Sequence, residues 1–88
     1  MEVTCLHTKN PALGWDVTAT AKAGAGEKIT RAQVFVNDVS KYDKSFNPPL
    51  NSWQEQLPQQ GQYPGNNDVL IVITSDKDED TESADSWS

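Results

Sequence analysis

Asp76, Asp78, Asp80 and Glu82 stand at every second position near the end of the chain, the densest run of hard oxygen ligands in the sequence. Such spacing resembles the opening of a calcium loop, where crowded carboxylates repel one another and a hard cation relieves the repulsion. An EF-hand also needs glycine at its sixth position and a bidentate acid at its twelfth, and here those positions hold Thr81 and Trp87. The EF-hand is excluded. Asp76, Asp78, Asp80 and Glu82 remain candidates for a looser calcium site, set against a plainer reading as a solvated acidic turn that keeps a sheet edge from pairing with another chain. Asp16, Asp38, Asp43 and Glu55 are acids elsewhere in the chain. Glycoside hydrolysis needs two carboxyl groups roughly 5–10 Å apart in a cleft, and no spacing singles out such a pair. His7 has no Ser, Cys or Asp at a spacing that marks a triad. The stretch 23–28 lacks the G-x-x-x-x-G-K-[ST] pattern of a phosphate loop. Cys5 is the only cysteine, so neither an intrachain disulfide nor a zinc cluster is available. The residues argue for a noncatalytic chain without a resident cofactor, calcium excepted.

The elements that must position these residues read as strands. Trp15, Val17, Ala19 and Ala21 alternate with Asp16, Thr18, Thr20 and Lys22, the signature of a half-buried strand. Gly24 and Gly26 then mark a turn. A second strand spans 29–38, with Ala32, Val34 and Val36 on one face and Arg31, Gln33, Phe35 and Asn37 on the other; it forms either a hairpin with the first or a bridge between two sheets. Pro48, Pro49, Pro58, Gly61, Pro64 and Gly65 leave room only for short strands over the next thirty residues, of which 50–57 is one. Residues 68–75 are the strongest strand, dominated by Val, Ile, Leu and Thr. Val3, Cys5 and His7 alternate with Thr4, Leu6 and Thr8 in a weaker strand that Pro11 ends. No 3.6-residue period competes anywhere. Short strands separated by turns, with no helix between them, imply an all-β fold of antiparallel sheets packed face to face or closed into a barrel.

Eighty-eight residues make one domain, 1–88. Val, Ile, Leu and Phe account for 17 residues, just under the roughly 20% below which disorder competes with folding, so order rests on the strand pattern. The net charge of −6 is local: residues 76–85 hold six acids and one lysine, and the rest of the chain carries only −1. Arg31 is the only arginine and the lysines are scattered, which argues against nucleic acid and anionic membrane as partners. The longest apolar run, 69–73, is far short of the roughly 18 residues of a membrane-spanning helix, and no basic-then-apolar leader opens this sequence. No N-x-[ST] acceptor occurs.

The run VTATAKAGAGEKITRAQVFVND, then PPLNSWQEQL, then GNNDVLIVITSDKDEDTES resembles the bacterial immunoglobulin-like domains that serve as accessory modules of secreted glycoside hydrolases and surface proteins. The resemblance covers about four fifths of the chain. It implies an immunoglobulin-like antiparallel β-sandwich of about seven strands and an extracellular or cell-surface setting within a longer protein. The implied role is structural, adhesive or accessory, exercised through protein–protein contact. Trp15, Val17, Ala19, Ile29, Val34, Val36, Trp53, Leu57, Leu70 and Val72 are the expected core. The chain departs from the pattern in two places: Asp38 stands where glycine usually follows Asn, which implies a different turn after Asn37, and 78–88 offers only Ala84 and Trp87 to a last strand, implying an acidic hairpin and a short or frayed end.

Two surfaces follow. If Leu70 and Val72 face inward, then Val69, Ile71 and Ile73 face outward beside Phe35, leaving an apolar stripe for a neighbouring domain, for a second copy of the chain, or for cover by 39–52. Tyr42, Tyr63 and Trp87 lie in polar or terminal stretches and are the aromatics best placed for exposure. They support a second reading, a carbohydrate-binding module using exposed aromatics and calcium.

Overall fold

In the computed structural model, which describes residues 1–88, the chain forms seven strands and no helix: β1 (Glu2–Lys9), β2 (Trp15–Lys22), β3 (Ile29–Val36), β4 (Val39–Leu50), β5 (Ser52–Gln60), β6 (Asn67–Ser75) and β7 (Asp80–Trp87). They make two antiparallel sheets, β1–β2–β5 and β4–β3–β6–β7. The turn after Lys22 carries the chain from one sheet to the other, so β2 and β3 bridge the sheets instead of forming a hairpin. The fold is an all-β antiparallel sandwich of the immunoglobulin-like type.

Period-two alternation decides which residues meet between the sheets. Val17, Ala19 and Ala21 of β2 face Ile29, Ala32, Val34 and Val36 of β3 and Val69, Ile71 and Ile73 of β6, with Trp53 of β5 closing the layer. Removing a side chain such as Ile29, Ile71 or Ile73 from water contributes about 1.5–3 kcal/mol. Met1, Val3, Cys5, Tyr42, Phe46, Leu50, Leu57 and Trp87 pack around this layer half-buried.

Four expectations are corrected. First, β6 is inverted: Val69, Ile71 and Ile73 are buried, while Leu70 and Val72 point outward. The apolar stripe therefore does not contain Val69, Ile71 or Ile73; of its four residues only Phe35 lies on the outer face. A one-residue change of parity moves every side chain of a strand to the other surface. Second, β4 runs for 12 residues through Pro48 and Pro49. It is an edge strand, where a missing N–H is tolerated, and its register against β3 breaks between Ser45, opposite Arg31, and Leu50, opposite Ile29. Third, Asp38 does not change the turn. Asn37 and Asp38 both have positive φ, 50° and 65°, and join the paired residues Val36 and Val39 as a two-residue hairpin loop, the backbone requirement of a type I′ turn. Fourth, 78–88 is not frayed: β7 pairs with β6 over its full length, from Asp80 opposite Thr74 to Trp87 opposite Asn67.

Asn67 organises the segment before β6. Its buried amide donates to the carbonyls of Gln62 (2.8 Å) and Gly65 (3.1 Å), and its Oδ1 accepts the Gln62 N–H. Gly61, at φ 74°, lies so close to this side chain that a Cβ would overlap it.

Candidate functional site

Two places bring chemistry-bearing side chains together. The first is the pole where β1 and β7, the edges of the two sheets, converge. Alternation along β1 puts Cys5 and His7 on the inner side, and alternation along β7 does the same for Asp85 and Trp87. His7 Nδ1 lies 2.8 Å from Asp85 Oδ2, and the imidazole stacks on Trp87 with centroids 4.1 Å apart and planes 2° from parallel. Trp15 meets both rings edge-on, at 5.6 Å from His7 and 5.9 Å from Trp87, and Tyr63 stands at 69° to Trp15. The Lys9 ammonium sits 3.7 Å from the centre of the Tyr63 ring. Trp15 is thus half-buried in this cluster and outside the central layer, a further correction to the expected core.

His7 has found an acidic partner 78 residues away, which no local spacing could announce. Asp85 holds the ring in place, but the pair completes no nucleophilic device. Burial, reinforced by the Asp85 charge, pushes the Cys5 thiol up to about 11, so at neutral pH it is a protonated and weakly nucleophilic group. Nor is the pole a flat platform for a sugar ring. Its tryptophans cross at 77°, one face of Trp87 is taken by His7, and Lys9 covers the Tyr63 ring. Tyr63 is the most exposed of the three expected aromatics at 52%, whereas Tyr42 is half-buried with its hydroxyl accepting the Trp53 indole N–H at 3.3 Å.

The acids of 76–82 do not converge, and no group of three or more His, Cys, Asp or Glu side chains is placed to hold a metal ion. Asp76 accepts the Lys28 N–H at 3.1 Å and ties the β6–β7 turn to the β2–β3 turn. Asp80 accepts the Thr74 hydroxyl at 2.8 Å, Asp78 occupies a left-handed turn position, and Glu82 lies on β7 opposite Val72. The remaining carboxylates are equally dispersed. Asp16 accepts the Asn10 amide at 2.8 Å, Glu55 lies opposite Ala19, and Asp38 is exposed in the β3–β4 turn. Asp43 is held by Arg31 through Nε at 2.9 Å and Nη2 at 2.7 Å. That hydrogen-bonded fork lowers the Asp43 carboxyl below its ordinary range and raises the guanidinium.

The second place is on the outer face of β4–β3–β6–β7. Phe35, Leu70 and Ala84 are cross-strand partners in one row of β3, β6 and β7. They floor a shallow concavity of about 260 Å³ whose other lining residues include Asp38, Asp68 and Ser86. The wall is braced: Asn37 N–H donates to the Asp68 carbonyl and Asp68 N–H to Asn37 Oδ1, both at 2.8 Å, while the Ser86 hydroxyl donates to Asp68 Oδ1 at 2.7 Å. Asp85 also borders the concavity, but its carboxylate is turned to His7. Sequence reasoning placed Phe35 here and missed Leu70, because Leu70 reads as core until the parity of β6 is known.

No family model, no curated protein and no solved structure matches this chain, so what it can do rests on the geometry above.

Proposed function

We propose that the chain is a noncatalytic accessory module of a bacterial secreted or surface protein, a stiff spacer that also presents its sheet faces to neighbouring molecules. The observation that carries this reading is where the chain enters and leaves. The body measures 42 × 19 × 18 Å. Met1 lies at one pole, beside Glu27 in the β2–β3 turn, while Trp87 lies at the other, stacked on His7 and paired with Asn67. Polypeptide joined to both ends would be held apart by a body whose two sheets share one apolar layer. The bacterial and surface setting rests on the resemblance of the three quoted segments, and the noncatalytic role fits a pole whose ionisable groups are paired with each other.

The test combines a distance with a binding screen. Spin labels on Glu2→Cys and Ser88→Cys, in a Cys5→Ala background, give a single narrow separation by pulsed electron resonance, and the unlabelled chain is not retained on polysaccharides. A broad or short separation defeats the spacer. Retention on a polysaccharide that Tyr63→Ala or Trp87→Ala abolishes replaces it with the carbohydrate-binding reading.

A further inference from the structure

We propose that the concavity formed by Phe35, Leu70 and Ala84 seats one arginine side chain of a partner protein, with the guanidinium between Asp38 and Asp68. This site goes beyond the spacer role and stands without it. The size is right for a side chain: about 260 Å³ falls below the roughly 300–1,000 Å³ of pockets that enclose a small-molecule ligand. The chemistry is that of an amphipathic cation. An apolar floor suits an alkyl stem, and two carboxylates at the wall suit a positive tip. No lysine or arginine is among the lining residues, so the charge at this wall is met by no cation of the chain's own.

Arginine fits better than lysine because its planar, weakly hydrated guanidinium stacks on an aromatic face such as Phe35 and offers five donors to more than one carboxylate at once. A lysine ammonium is compact and strongly hydrated and gives up more on leaving water. The same sheet face already holds one such arrangement, the two-pronged bond of Arg31 to Asp43. Arg31 is the only arginine in the chain and is engaged there. Residues 1–88 therefore offer no second guanidinium to the concavity, and the occupant is an arginine presented by a partner protein.

The probe is the capped tripeptide acetyl-Ala-Arg-Ala-amide, titrated into ¹⁵N-labelled chain, with citrulline and lysine counterparts as controls. The expected result is saturable amide shifts confined to 35–38, 68–70 and 84–86 with the arginine peptide and none with citrulline, which keeps the shape and loses the charge. Asp38→Asn and Asp68→Asn each weaken binding about threefold or more while leaving spectral dispersion intact, the size of a partly exposed ion pair. Asn is suited to the left-handed backbone at 38, so that variant keeps the turn. Equal shifts with citrulline, shifts centred on the acidic turn at 76–82, or unchanged affinity in both variants would overturn the site. A lysine peptide that binds as tightly overturns the assignment to arginine.

Discussion

Cys5 shows how one side chain reports its surroundings. Half-buried on the inner side of β1 and facing the Asp85 charge, its thiol is held protonated to about pH 11, against 9.0 for an unhindered thiol. The unfolded chain ionises at the lower value, so the contribution to stability is complete below pH 9 and is lost as pH rises through 11. Urea titrations of the parent chain and of Cys5→Ala between pH 8 and 11.5 should therefore differ in slope, the parent losing stability more steeply above pH 9. Parallel curves would mean that the thiol is solvated like a free one. The same pole explains why His7 was unreadable as part of a pair. Its period-two spacing from Val3 and Cys5 put it on their face of a strand, but the identity of the facing residue depends on which strand closes the sandwich beside β1.

At the scale of elements, the β3–β4 hairpin carries a local conflict. Both residues of a type I′ loop need positive φ, and glycine adopts it without the Cβ penalty that Asp38 bears at 65°. Asp38→Gly should raise stability by a few tenths to about 1 kcal/mol, seen as a Tm increase of a few degrees, and should also weaken arginine-peptide binding about threefold or more. A fall in Tm would show that the Asp38 side chain itself supports the turn. Strand existence was legible for β1, β2, β3, β5 and β6, since alternation and β-branched residues act locally. The length of β4 and the order of β7, expected as a short or frayed last strand, were misjudged for one reason: both are edge strands whose residues are poor strand formers. Pro48 and Pro49 in β4 and the Asp/Ser-rich β7 are tolerated because an edge strand needs ladder bonds on one side only.

For the molecule as a whole, the decisive event is the docking of two sheets, which assigns each strand an inside. With Ile71 facing the central layer, Ile71→Ala empties a buried site and costs about 2–5 kcal/mol. Val72→Ala trims a half-buried outer residue and costs under about 1 kcal/mol, so the two urea midpoints should differ widely. A reversed ranking would restore the stripe of Val69, Ile71 and Ile73 to the surface. The sequence by itself determined that the chain is all-β, where most strands lie, and that Val17, Ala19, Ile29, Val34, Val36 and Trp53 are buried, because these follow from backbone preference and period-two patterning over a few residues. It could not choose between the two faces of 69–73, because both are apolar and the choice is made by contact with the facing sheet. Only the tertiary structure turned Leu70 outward beside Phe35 and Ala84, brought Asp38 and Asp68 to their rim, and joined His7 to Asp85. Each of those neighbours is distant in sequence and is brought close only by strand pairing and the closing of the sandwich.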